Sequence, residues 1–117
     1  MTAVKKVQRG YIFKTDGRTI KVQPENGKKF DFKELQKAVG GYIESLVPGI
    51  RNCKQLYANE DGVSLGLAPN PHTQNVVNMR VYRLNGYGEN FRVLGDIVAV
   101  LSETAEENVF PTIAQVV

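Results

Sequence analysis

The chain has 117 residues, 42% of them hydrophobic and 23% charged, a composition typical of one globular domain with a single core. Its apolar runs are far shorter than the roughly 18 residues that a membrane span requires, and no apolar stretch follows the lysines near the N-terminus as in a secretory signal. We therefore expect a cytoplasmic protein without a membrane partner.

The single cysteine and the single histidine limit the possible chemistry. Cys53 has no second cysteine for a disulfide or a zinc site, and His72 alone excludes a His-rich metal site. A nucleophilic Cys53 would need an oriented histidine partner. We favour the interpretation that Cys53 is a small, half-buried side chain.

The sequence contains no recognisable catalytic motif. The sequence contains no Walker loop, no dinucleotide fingerprint at a helix start and no Gly-x-Ser-x-Gly motif. Glu44 and Asp96 could form a carboxylate pair across neighbouring elements, but charged residues at strand edges are commonly just exposed. We predict a protein that is not an enzyme and that needs no cofactor and no metal.

The net charge of +3 is unevenly distributed along the chain. Ten basic and four acidic residues up to Lys37 give this part a charge of +6, while five basic and eight acidic residues beyond it give −3. The basic part could attract phosphate-rich ligands, or its lysines could guard an exposed edge strand, which we favour. Because the sequence has no DNA-recognition helix and no dense arginine patch, any nucleic-acid binding should be weak and not sequence-specific.

The first third predicts a β-hairpin followed by a helix. Residues 11–14 and 19–22 are β-prone runs separated by a turn containing Asp-Gly, a strong hairpin signal. Asp31 and Glu34 form a capping box, so a helix should begin near Phe32 and end at the Gly40-Gly41 pair.

The remainder predicts three further strands, a second helix and a buried central strand. We expect a strand over 42–47 and a second hairpin that pairs 54–58 with 63–67. A helix capped by Asn70 should continue to about Leu84, although residues 79–83 could also pass for a strand. Residues 97–101 are apolar without alternation, which indicates a strand buried on both faces.

Together these elements predict an α+β fold. A single compact domain over residues 1–117 would have an N-terminal β-hairpin and two helices packed on a mixed, mostly antiparallel sheet. A basic hairpin segment, 1–30, and a tail, 102–117, flank its centre. The tail begins with an acidic stretch that could form one helical turn, and its apolar residues 109–117 predict a homo-oligomer, most simply a dimer.

Four blocks occur in a recognisable order: Val39-Gly40-Gly41-Tyr42-Ile43-Glu44, Asn59-Glu60-Asp61-Gly62, Pro69-Asn70-Pro71 and Gly95-Asp96-Ile97-Val98. Over about residues 32–101 the chain resembles a family of small α+β proteins of unknown function from bacteriophages and bacterial mobile elements. The resemblance implies a viral or mobile-element setting, and hence the host cytoplasm, but no particular reaction.

We expect an accessory protein that binds a small phosphate-bearing, nucleotide-like ligand and counters host defence signalling. A helix start is receptive to anions, although Asn70 could simply cap the helix. Arg80 lies too far along that helix to contact an anion bound at its N-terminus. Arg80 and Arg83 are further candidate cations for binding phosphate. The candidate ligand-binding residues are Gly66, Asn70 and His72 at the helix start, Arg51 and Arg92 as cations, and Tyr42 and Tyr87 for base stacking.

Two alternatives to ligand capture stay open. A protein-binding inhibitor or adaptor of a host protein would use the exposed hairpin edge and the apolar tail. A weak, non-specific nucleic-acid binder would use the basic first third.

Overall fold

A computed structural model describes residues 6–104 and 109–116 of the chain. The elements are, in order, β1 (Gly10–Phe13), β2 (Thr19–Val22), α1 (Phe32–Val39), β3 (Ile43–Leu46), β4 (Cys53–Asn59), α2 (Thr73–Val76), α3 (Met79–Leu84) and β5 (Ile97–Leu101). The five strands form one sheet in the order β2-β1-β5-β4-β3, and each of its four strand pairs is antiparallel. The α+β class is confirmed, but the described sheet is not mixed and three short helices accompany it instead of two.

Local signals set the first part of the fold. β1 pairs with β2, from Gly10 with Val22 to Phe13 with Thr19, across the Asp-Gly turn. At the start of α1 the Glu34 amide donates to Asp31 Oδ1 at 2.8 Å, and the Asp31 amide donates to the Glu34 carboxylate, so the capping box is complete. The helix ends at Gly40, whose φ of 79° is readily accessible to glycine.

β5 is the central strand, as its apolar run predicted. It pairs with β1 on one side and β4 on the other, and each of its five residues is buried. Val98 and Val100 pack with Leu35 and Val39 of α1. Its remaining residues face a larger core on the opposite side of the sheet, which includes residues of α2 and α3.

The predicted return strand over residues 63–67 is wrong. These residues form consecutive turns, closed by the Leu65 amide donating to Asp61 O at 2.9 Å and the Leu67 amide to Gly62 O at 3.0 Å. β4 pairs instead with β3 and β5, so neither of its edges is left for a return strand.

The predicted single helix from Asn70 to Leu84 is also wrong, because the helix is interrupted between α2 and α3. Val77 is extended, and its flanking backbone groups bond to the segment after β3: the Gly49 amide donates to Val76 O at 2.7 Å, and the Asn78 amide donates to Val47 O at 2.8 Å. A continuous helix would need these groups for its own ladder. Asn78 then begins α3 by accepting from the Val81 amide.

The apolar C-terminal residues lie on their own domain. The Arg51 amide donates to Ala114 O at 2.9 Å and the Val116 amide to Gly49 O at 2.6 Å, while Phe110 and Ile113 pack against the larger core. Packing within the chain thus covers part of the apolar stretch that was our reason to expect a dimer, while Val109 and Val116 stay exposed. The predicted acidic turn falls largely on residues 105–108, outside the described residues.

Candidate functional site

Asn70, predicted at the start of the second helix, makes structural hydrogen bonds within the fold. Asn70 is fully buried, and its side-chain amide donates to Phe13 O at 2.8 Å and to Gly95 O at 2.9 Å. Its Oδ1 accepts from the His72 amide at 2.9 Å. Asn70 therefore links β1, the approach to β5 and the approach to α2, and these bonds give it a structural role.

His72 also has a structural environment. α2 has only four residues, and His72 is its N-cap residue without a side-chain capping bond. The His72 Nε2 atom lies 2.9 Å from Gly17 O, and its ring packs against Phe13 with the centroids 5.2 Å apart. Because a macrodipole needs several aligned turns, one turn provides little field for an anion.

The other predicted site residues are not assembled into one pocket. Gly66 lies in the exposed turn after β4, Tyr42 is 64% exposed before β3, and Arg51 is exposed after β3. Tyr87 packs against Phe91, with the ring centroids 4.8 Å apart.

Arg92 lines a cavity of about 170 Å³ that none of the other six predicted residues lines. Its guanidinium donates to the neighbouring carbonyls of Phe91 and Glu89, at 2.9 and 3.3 Å. The same cavity contains Glu44 and Glu60. Burial, and secondarily the charge of Glu60, raises the pKa of Glu44 above its ordinary value.

Two chemical hypotheses from the sequence receive no support from the geometry. Asp96 forms an ion pair with Lys14 at 2.7 Å and accepts from the Thr15 amide, so the carboxylate pair with Glu44 that the sequence left open has no support. Burial raises the pKa of Cys53 to about 11, so its thiol is protonated at neutral pH. Among the described residues, no group of three or more His, Cys, Asp or Glu could hold a metal ion.

A larger cavity, about 450 Å³, lies beside α2, α3 and the C-terminal segment, and we call it the α3 pocket. Its lining comprises two arginines, four carboxamides and three apolar residues: Arg80, Arg83, Gln74, Asn75, Asn78, Gln115, Val77, Met79 and Val116. The extended residue Val77 interrupts the helix between α2 and α3, and residues of both helices therefore surround this cavity. The C-terminal segment completes the wall, because Gln115 forms a β-bridge with Ile50.

The α3 pocket is positively charged. Arg80 and Arg83 are three residues apart on α3, a spacing that puts them on one side of the helix and makes like charges destabilising. No lining residue is acidic, and the ion pairs within the described residues join Lys14 to Asp96, Arg18 to Asp16 and Lys54 to Glu103. Neither arginine of the α3 pocket is therefore neutralised by a described residue.

Both arginines were predicted from the sequence as phosphate cations, but without a common site. The signal that could have located the pocket is the i, i+3 spacing of two arginines shortly after three carboxamide residues. The sequence alone does not locate the pocket, because it predicts one continuous helix. In such a helix, Asn75 and Asn78 would have different positions relative to Arg80 and Arg83 from those in the structure.

Comparison of the chain with protein-family models, with curated proteins and with solved structures gave no match in any of the three. The similarity to the bacteriophage and mobile-element family therefore stays a prediction from the sequence blocks. No helix within residues 6–104 and 109–116 is long and apolar enough to span a membrane.

Proposed function

We propose that this chain is a non-enzymatic binding protein that captures a small phosphate-bearing, nucleotide-like ligand in the α3 pocket. The observation that carries the proposal is that Arg80 and Arg83, in a cavity without an acidic lining residue, form no ion pair with any residue of ranges 6–104 and 109–116. Charge-assisted hydrogen bonds from guanidinium to phosphate are stronger than neutral ones. An anion bound there would also relieve the repulsion between the two arginines.

The rest of the lining suits the non-phosphate part of such a ligand. The volume of about 450 Å³ is in the usual range for small-molecule sites. Val77, Met79 and Val116 supply apolar surface for the face of a base. Asn75 has a side-chain amide without a hydrogen bond to any described residue, and Asn and Gln amides pair well with base edges.

The lining also supports binding without chemistry. Its side chains are Arg, Asn, Gln, Val and Met, none of which is a usual general base or nucleophile at neutral pH. Together with the family resemblance, this favours a bacteriophage or mobile-element accessory protein that sequesters a host signalling nucleotide and so counters host defence.

Thermal unfolding with AMP or adenosine tests the proposal at low salt. At 100 times its Kd, AMP should stabilise the folded state by about 2.7 kcal/mol and thereby raise the melting temperature. Adenosine should have little effect. The effect should disappear in the double variant Arg80→Ala/Arg83→Ala. It should persist in Arg18→Ala, which removes an exposed arginine paired with Asp16 in the β1–β2 turn. Equal responses to AMP and adenosine, or a response unchanged in the double variant, would contradict the proposal.

Protein binding is the second candidate function, favoured by the outer edge of β2, which pairs with no other strand of the described residues. A groove of about 360 Å³ runs beside this strand, with Ile12, Val22, Val98 and Phe30 among its lining residues. An added strand could pair with the β2 edge and place apolar side chains in the groove. A one-to-one complex recovered from host lysate and lost in Val22→Asp, but kept in Arg80→Ala/Arg83→Ala, would favour this function over ligand capture.

Nucleic-acid binding and self-association are separate proposals. Binding through the basic hairpin should be weak and should fall steeply with salt, which a titration of duplex DNA at two ionic strengths measures. Light scattering at high protein concentration measures whether the chain forms a homo-oligomer.

A further inference from the structure

The spacing of the two arginines in the α3 pocket is fixed by the way α3 is held. Asn78 accepts from the Val81 amide at one end of this six-residue helix, and the Asn85 side chain donates to Val81 O at 2.8 Å at the other. The Val47 amide donates to the Tyr82 hydroxyl at 3.1 Å, which ties α3 to the segment after β3. The backbone that carries Arg80 and Arg83 is therefore well anchored, although both side chains are exposed.

Each arginine offers enough donors for a phosphate of its own. Residues three apart on a helix have Cβ atoms about 5–6 Å apart. A guanidinium presents its N–H donors in a planar fork that matches two oxygens of one phosphate. If one arginine bound a single phosphate in this way, the donors of the other would be left without a two-oxygen partner among the lining residues, none of which is acidic.

Resting on the proposed function, we propose that the ligand of the α3 pocket carries two phosphate groups, one held by Arg80 and the other by Arg83. A compound with two linked phosphates offers each guanidinium a two-oxygen contact of its own. A monophosphate offers that contact to only one guanidinium, so it makes fewer charge-assisted hydrogen bonds and binds more weakly. The inference thus names a diphosphate, or a nucleotide with two phosphates, as the ligand class.

Calorimetric titration of the full chain with AMP and ADP at one low salt concentration tests this inference. ADP should bind at least about tenfold more tightly than AMP, because one charge-assisted contact is added. Arg80→Ala and Arg83→Ala should each reduce the ADP preference to about one. Arg18→Ala, the matched exposed-arginine control, should keep it. Arg80→Lys and Arg83→Lys, which keep the charge without the fork, should fall between wild type and alanine.

The possible failures are distinguishable. Equal affinities for AMP and ADP, both reduced by either alanine variant, would mean that one phosphate is shared by both arginines; the two-phosphate inference would then be wrong and the proposed function would stand. An ADP preference that survives in both single variants would place the second phosphate elsewhere and overturn the inference. No binding of AMP, ADP or pyrophosphate would overturn the inference and the proposed function together. Thermal unfolding of each variant without ligand shows whether the fold is retained, and the lysine variants decide the case if an alanine variant fails to fold.

Discussion

Replacing Asn70 by alanine should destabilise the domain strongly, because this side chain joins three parts of the fold. The substitution removes the donors to Phe13 O and Gly95 O and the acceptor for the His72 amide. A net hydrogen bond contributes about 0.5–1.5 kcal/mol, and a buried group left without a partner costs about 1–3 kcal/mol. With three bonds at a site where Asn70 is 0% exposed, we expect a loss of about 3 kcal/mol in the free energy of unfolding.

Urea unfolding at neutral pH, followed by circular dichroism, measures this loss. The midpoint should fall while the m-value stays constant, since the substitution changes stability and not the surface exposed on unfolding. A domain of this size should also melt about 12 °C lower, at roughly 4 °C per kcal/mol. Asn90→Ala is the matched control, because Asn90 is exposed and its side chain bonds to no described residue.

Asn70→Asp separates hydrogen bonding from packing. The aspartate keeps the shape but replaces the two N–H donors with an oxygen that faces the carbonyls of Phe13 and Gly95. It should be at least as destabilising as Asn70→Ala at neutral pH. If Asn70→Ala stayed within about 0.5 kcal/mol of wild type, as a surface substitution does, the structural role of Asn70 would be refuted.

Three further predictions concern local features. Gly49→Ala would put a methyl carbon 2.3 Å from Val77 O and should lower the free energy of unfolding by about 1–3 kcal/mol, whereas Gly88→Ala meets no atom within 4 Å and should be nearly neutral. Asp31→Ala removes the capping box and should lower stability by about 1 kcal/mol in the same urea assay. Because the pKa of Cys53 is raised to about 11, only about one thiol in a thousand is ionised at pH 8, and alkylation by iodoacetamide should be slow there and accelerate up to about pH 11. Since the folded pKa is above the unfolded value of about 8.5, this group's contribution to stability is fully present below pH 8.5 and should decline as pH rises toward 11, a decline absent in Cys53→Ala.

The amino-acid sequence determined the features whose partners lie within a few residues. The Asp31–Glu34 capping box, the glycine at the end of α1 and the Asp-Gly turn all satisfy backbone groups locally, so residue type and spacing suffice to predict them. The position of β5 was also predictable, because five consecutive apolar residues leave no polar face to turn toward water.

Only the tertiary structure decided which distant backbone groups meet. Residues 63–67 have the composition of a strand but find both edges of β4 already occupied. The helix predicted to start at Asn70 is interrupted at Val77, because the segment after β3 bonds to the backbone on either side of it. The α3 pocket lies beside that interruption, and Arg80 and Arg83 line it together with residues of α2 and the C-terminal segment. Competition between distant segments for the same hydrogen-bonding groups is a property of the whole fold, and no local pattern of residues records its outcome.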